Sequence, residues 1–221
     1  MKILIDCGHG INTVGKCSPD ASKGIVTSPY YFKEYAWARE VGAMVCFLLQ
    51  SEGYDAELIV QEEVDIPLQD RTNRVNKICY DLGKSNVILI SIHVNAAASD
   101  AQWHDARGWS IYTSPGNTKS DALATCIFKV AEKEFSTPGC DYLKNFKSGK
   151  QKPIRSDYSD GDPDYESNLW MLSKTSCPAV LVENFFQDNR EDVYYLKSYS
   201  GKSSCAKVMV KGIKDYIASK S

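Results

Sequence analysis

The sequence predicts an α/β fold: a single domain whose mostly parallel central sheet is flanked by helices on both faces. Two observations carry this. Short apolar runs of strand length alternate with longer stretches whose apolar residues recur every three or four positions. The strand-like runs are also nearly continuous, as expected of strands buried on both faces. At 221 residues the chain suits one sizeable domain, and it contains no internal repeat or linker-like stretch.

The elements follow in order. KILID (2–6) opens the chain as a strand, and residues 10–28, rich in Gly, Ser, Thr, Asn and Asp, read as an irregular loop. A helix is predicted from about 29 to 51, with Ser28 as its cap, Pro29 in its first turn and Gly53 as its stop. Its inward stripe is Ala38, Val41, Val45 and Leu48. AELIV (56–60) is the second strand, and Leu68, Val75, Cys79 and Leu82 form a second helical stripe. VILISI (87–92) and WSIYT (109–113) are strands, followed by a helix striped by Leu123, Ile127, Ala131 and Phe135. Residues 136–165 form a second irregular stretch. AVLVE (179–183) is the last strand, and Cys205, Met209, Ile213, Tyr216 and Ile217 mark the final helix. Loops as long as the two irregular stretches often form the walls of a binding site.

Composition excludes several functions. A net charge of -2 argues against nucleic acid or an anionic membrane as the main partner. No apolar run approaches the ~18 residues of a membrane span, so no membrane insertion is expected. The N-terminus enters a strand directly, without the pattern of a signal peptide, so synthesis in the cytoplasm is expected unless a signal was removed earlier. The eight cysteines include no CxxC pair, and Cys46, Cys79, Cys126 and Cys205 fall on apolar helix faces. They are expected to be mostly free thiols.

The reactive residues cluster by position. Ligands in parallel α/β sheets bind beyond the carboxyl ends of the strands. His9 follows the first strand in CGHG, His93 follows VILISI, and Glu183 ends AVLV. A fourth member comes from helical spacing. Glu34 lies four residues before Ala38, on the inward stripe, whereas Arg39 and Glu40 lie off it among solvated charges. Glu34 is then either a buried carboxylate needing a partner or metal, or a solvated one favoured by the helix dipole. Two imidazoles and one carboxylate suit a catalytic zinc with an open fourth position, leaving Glu183 free as a general base. Magnesium or calcium would require more oxygen ligands.

Other polar residues read more plainly. His104, in QWHDAR, is expected at the surface or in a groove, and Arg71 as the structural partner of a carboxylate. Asn95 either orients a ligand or closes a turn. Arg155 is expected to be a solvated loop residue, with contact to a substrate carboxylate as the alternative. Cys7 is a poor candidate nucleophile, because the glycines that follow break the strand.

These positions and their surroundings closely resemble the zinc-dependent N-acetylmuramoyl-L-alanine amidases of the Amidase_3 type. The matching elements are ILIDCGHG around His9, KEYAWAREV around Glu34, IPLQDRTNRVNK with Arg71 and Asn76, ISIHVNAAA around His93, and CPAVLVENFFQDN around Glu183. The resemblance implies one zinc ion held by His9, Glu34 and His93, with Glu183 catalytic, on an α/β fold with a mixed sheet. The implied partner is peptidoglycan, cleaved between N-acetylmuramic acid and the L-alanine of the stem peptide. Two departures stand out: Ile11 replaces a glycine usual in the first motif, and AQWHDAR (101–107) and the 136–165 loop look individual. No separate wall-binding domain is recognisable. The chain resembles in this the compact endolysins of phage or prophage, which reach the wall after holin-type release.

Overall fold

The computed structural model describes residues 1–144 and 152–220. In chain order the elements are β1 (Lys2–Cys7), α1 (Pro19–Ser22), α2 (Glu34–Ser51), β2 (Asp55–Leu58), α3 (Leu68–Leu82), β3 (Val87–Asn95) and β4 (Ser110–Thr113). There follow α4 (Lys119–Ser136), α5 (Asp141–Lys144), β5 (Tyr165–Glu166), α6 (Trp170–Ser173), β6 (Ala179–Phe186), α7 (Arg190–Lys197) and α8 (Tyr199–Ala218). Among the described residues the strands form one mixed sheet in the order β2-β1-β3-β6-β4-β5. All neighbouring pairs are parallel except β4 with β6. The single α/β domain with a mostly parallel sheet is therefore as the sequence predicts.

Strand alternation sorts side chains onto two faces. Ile3, Ile5, Ile88, Ile90, Ile92, Val180, Val182 and Ile111 meet the apolar faces of α2, α4 and α8 in the larger core. Leu4, Val87, Leu89, Ala179 and Leu181 meet α3 and α6 on the other side. No helix among the described residues is long and apolar enough to cross a membrane. All eight cysteines are free.

Several boundaries differ from the expectations, each for a local reason. Helix α2 starts at Glu34 instead of near Pro29. The Ser28 hydroxyl accepts from the Tyr30 N–H and donates to Asp20, closing a turn, and an antiparallel bridge ties Lys33 to Cys17. The buried stripe of α2 is completed by Leu49, with Leu48 only partly covered. Gly53 stops the helix as expected: at φ +84° it lets the Tyr54 N–H reach back to the Leu49 carbonyl. On α3 the ends of the stripe, Leu68 and Leu82, are exposed, and Arg71 and Thr72 join Val75 and Cys79 inside. The first irregular stretch contains α1, capped by Ser18. The second contains α5 and the first residue of β5, and its residues 145–151 lie outside the described residues. Strands β3 and β6 run past His93 and Glu183, which therefore sit within strands and not beyond them.

Candidate metal and catalytic centre

Three elements deliver the centre. Strand β1 ends at Cys7, and the chain turns through Gly8 into His9, which takes the left-handed φ of +60°. That conformation is uncommon for a residue with a side chain, and the surroundings hold it. The His9 carbonyl accepts from Arg71 Nη2 at 3.2 Å and from Arg39 Nη2 at 3.0 Å. Arg71 is almost wholly buried and gives its other donors to Asp6, Asp65 and the carbonyls of Cys7 and Ile66. All five guanidinium N–H groups are thereby used.

Glu34, the first residue of α2, is fully buried. Its Oε1 accepts from the Val94 N–H at 3.0 Å and lies 3.1 Å from His93 Nδ1 and 3.5 Å from His9 Nε2. Its Oε2 is buried with no hydrogen-bond partner. The two imidazole rings meet edge to face, centroids 4.9 Å apart. One ligand atom from each of His9, Glu34 and His93 lies within 4.8 Å of the others. Glu183 is the register partner of His93 on the neighbouring strand, so the two side chains share a face. Glu183 Oε2 is buried and likewise lacks a donor.

Burial and charge set the protonation of these groups. Burial pushes the His9 imidazole down to about 4, so it is neutral at physiological pH. Burial alone would raise Glu34, but the hydrogen bond and charge of the histidines hold it below the usual carboxylate range. The same contact, opposing burial, raises His93. Burial pushes Glu183 up to about 8; the Glu34 charge adds to the shift, while His93 and Lys16 oppose it. A neutral imidazole beside an ionised carboxylate is the donor state a metal ion takes.

The structure brings together His9, Glu34 and His93, with Glu183 alongside. Of the two readings of Glu34, the buried one holds. Arg71 is structural, as expected. Asn95 closes a turn: its side chain accepts from the Ala96 N–H and its carbonyl from Gln187. Asn76 ties α3 to residues 174–176. His104 pairs with Asp100 in the loop after β3 and takes no part in the cluster. Cys7 is buried in β1, its thiol pushed by burial up to about 12, which rules out a reactive thiolate. Arg155 is half-buried against the Phe186 ring instead of solvated.

Sequence reasoning missed two residues. Arg39, expected among solvated charges, clamps His9 and also donates to the carbonyls of Glu62 and Tyr35. Lys16, in the first loop, bears electrostatically on both His9 and Glu183. Neither position falls on an apolar stripe or at a strand end, so periodicity carried no signal for them.

Residues 3–215 match the family described as N-acetylmuramoyl-L-alanine amidase (Amidase_3). Similar solved structures include an N-acetylmuramoyl-L-alanine amidase from Clostridium difficile, 21% identical over 100% of this chain and 98% of that one, with a TM-score of 0.72. Another from Nostoc punctiforme is 20% identical over 99% and 97%, with a TM-score of 0.69. The catalytic domain of an endolysin targeting Clostridium difficile is 22% identical over 97% of each chain, with a TM-score of 0.64. No curated protein sequence matches.

Proposed function

This chain belongs to the N-acetylmuramoyl-L-alanine amidase family, and from that premise we propose that His9, Glu34 and His93 hold one zinc ion while Glu183 moves the proton of the reaction. The reaction is hydrolysis, in peptidoglycan, of the amide joining N-acetylmuramic acid to L-alanine. The donor set fits zinc: two imidazole nitrogens and a carboxylate oxygen converge within 4.8 Å, and the buried Glu34 Oε2 lacks any other partner. Bound there, zinc supplies Lewis-acid polarisation of the scissile carbonyl and acidifies water towards neutral pH.

The chain's own residues do the rest. Arg71 and Arg39 fix the His9 backbone and so aim its ring, the kind of outer support that tunes metal ligands. Glu34, held by the Val94 N–H, keeps its carboxylate between the two imidazoles. Glu183 accepts the proton of the attacking water at its carboxylate and delivers it to the departing L-alanine nitrogen. Its position in register with His93 supports that role. The substrate side is a muramyl peptide, met on the sheet face that carries Glu183. We further propose that this one domain suffices for catalysis, and that the protein reaches the wall from outside the cell or after holin-type release.

The single observation that carries the reading is the convergence of His9, Glu34 and His93 with Glu183 on the next strand. Its test is digestion of purified peptidoglycan with and without chelator, with mass spectrometry of the products and metal analysis of the protein. Peptides with a free L-alanine amine, lost on chelation and restored by zinc, are expected. Intact sugar–peptide amides at full zinc content refute the reading.

A further inference from the structure

Arg155 lies in the stretch between α5 and β5, and the chemistry above leaves it unused. A parallel bridge pairs Trp109 with Ile154, and the Arg155 N–H donates to the Trp109 carbonyl at 2.8 Å. This segment therefore runs along the outer edge of β4, with Arg155 level with Ser110. Ser110 is the register partner of Glu183, and Glu183 of His93. Residues in register project to one face, so His93, Glu183, Ser110 and Arg155 form a row across the sheet on the side of the catalytic carboxylate.

The guanidinium is poised for a ligand. It rests 5.2 Å from the centroid of the Phe186 ring, and no carboxylate among the described residues pairs with it. Burial raises the Tyr112 phenol; Glu183 adds to that shift and Arg155 opposes it, so one hydroxyl feels both charges. Strands lie 4.7–4.9 Å apart, which sets the Arg155 backbone about 10 Å from that of Glu183. An extended peptide covers about 3.3–3.6 Å per residue, so that distance is spanned by roughly two or three residues. The lactyl carboxyl of the sugar is consumed in the scissile amide. A fixed negative charge this close to the bond therefore belongs to the stem peptide.

We propose that Arg155, backed by the Phe186 ring, is a specificity-determining residue that binds a free carboxylate within the first two or three residues of the stem peptide. A planar guanidinium stacked on an aromatic ring presents its fork to a carboxylate in a fixed geometry. The inference rests on the amidase reading of the centre.

The test uses two synthetic muramyl peptides, identical except that the stem-peptide carboxylates are free in one and amidated in the other. For the zinc-loaded protein the ratio of kcat/KM, free over amidated, is expected at about 10 to 100, the range of one charge-assisted contact. In Arg155→Gln the ratio falls towards one, chiefly through a higher KM for the free substrate. Arg155→Lys keeps the charge but loses the fork, and gives an intermediate ratio. A wild-type ratio near one overturns the proposal, as does a ratio that survives in Arg155→Gln or a Lys variant no better than the Gln variant. Cleavage of the amidated peptide reports the amidase reading separately: if the wild type cuts neither peptide, that reading fails and the proposal falls with it.

Discussion

The two faces of the central sheet share their strands, yet alternate residues of those strands do different work. On the face under α2, α4 and α8 the side chains of β1 and β3 stay apolar to the strand ends, at Ile3, Ile5 and Cys7 and at Ile88, Ile90, Ile92 and Val94, and β6 adds Val180 and Val182 before the buried Asn184. On the other face they begin apolar, at Leu4, Leu89 and Leu181, and turn polar towards the carboxyl ends of β1, β3 and β6, at Asp6, Ser91, His93 and Glu183, level with Ser110 at the start of the antiparallel β4. There the covering elements, α3 and the four-residue α6, are fewer. The difference teaches that stability and chemistry are divided by residue parity. One face anchors the sheet, and the anchored sheet holds the polar row of the other at fixed spacing.

The sharpest way to break this division is to attack the polar row. Glu183→Gln is expected to lower kcat by about 10²- to 10⁴-fold with zinc content unchanged by elemental analysis. Loss of zinc together with activity would show that the carboxylate belongs to the metal instead. The mirror experiment is Ile90→Ala, on the fully buried apolar face. It is expected to cost about 2–5 kcal/mol in denaturant unfolding while activity per folded molecule persists. A smaller effect probes the support behind the row: Arg39→Met releases one of the two clamps on His9. Zinc affinity should fall by about 10- to 100-fold in competition with a chelator, with little change in the apo protein's unfolding.

The smallest effect concerns a buried carboxyl away from the centre. Asp164 accepts from Thr113, its Oδ1 has no donor, and burial with the neighbouring Asp162 carboxyl pushes it up to about 8. A carboxyl raised on folding favours the folded state below its unfolded pKa near 4, and that contribution is lost as the pH climbs through 8. The wild-type melting temperature should therefore decline from pH 4 to 8 more steeply than that of Asp164→Asn. Parallel profiles would show that the pair carries no such charge penalty.

Much of this was legible in the sequence because it depends on one-dimensional patterns. The apolar runs gave every long strand, and the stripe of α4 was buried residue for residue. His9, His93 and Glu183 were found because each interrupts or ends such a run. Glu34 was found because a carboxylate on an apolar stripe is conspicuous. What stayed hidden depends on contacts between distant segments. Ser28 looks like a helix cap until Asp20 takes its hydroxyl. Arg39 looks solvated until the turn after β1 brings the His9 carbonyl within reach. Arg155 looks like a loop residue because nothing local says that its segment runs beside β4. β5, two residues long, exists only because β4 is there to pair with it.

Gly8 carries no chemistry, yet the His93 ring packs where its side chain would be. A Cβ built there would stand 2.4 Å from Cε1 of that ring. The smallest possible addition, one methyl group, forces the imidazole out of its place beside Glu34. A scan of single substitutions read by lysis alone would score this glycine among the residues that touch the substrate. Only a readout that follows metal occupancy separately from turnover would reveal it as the mould in which a ligand is cast.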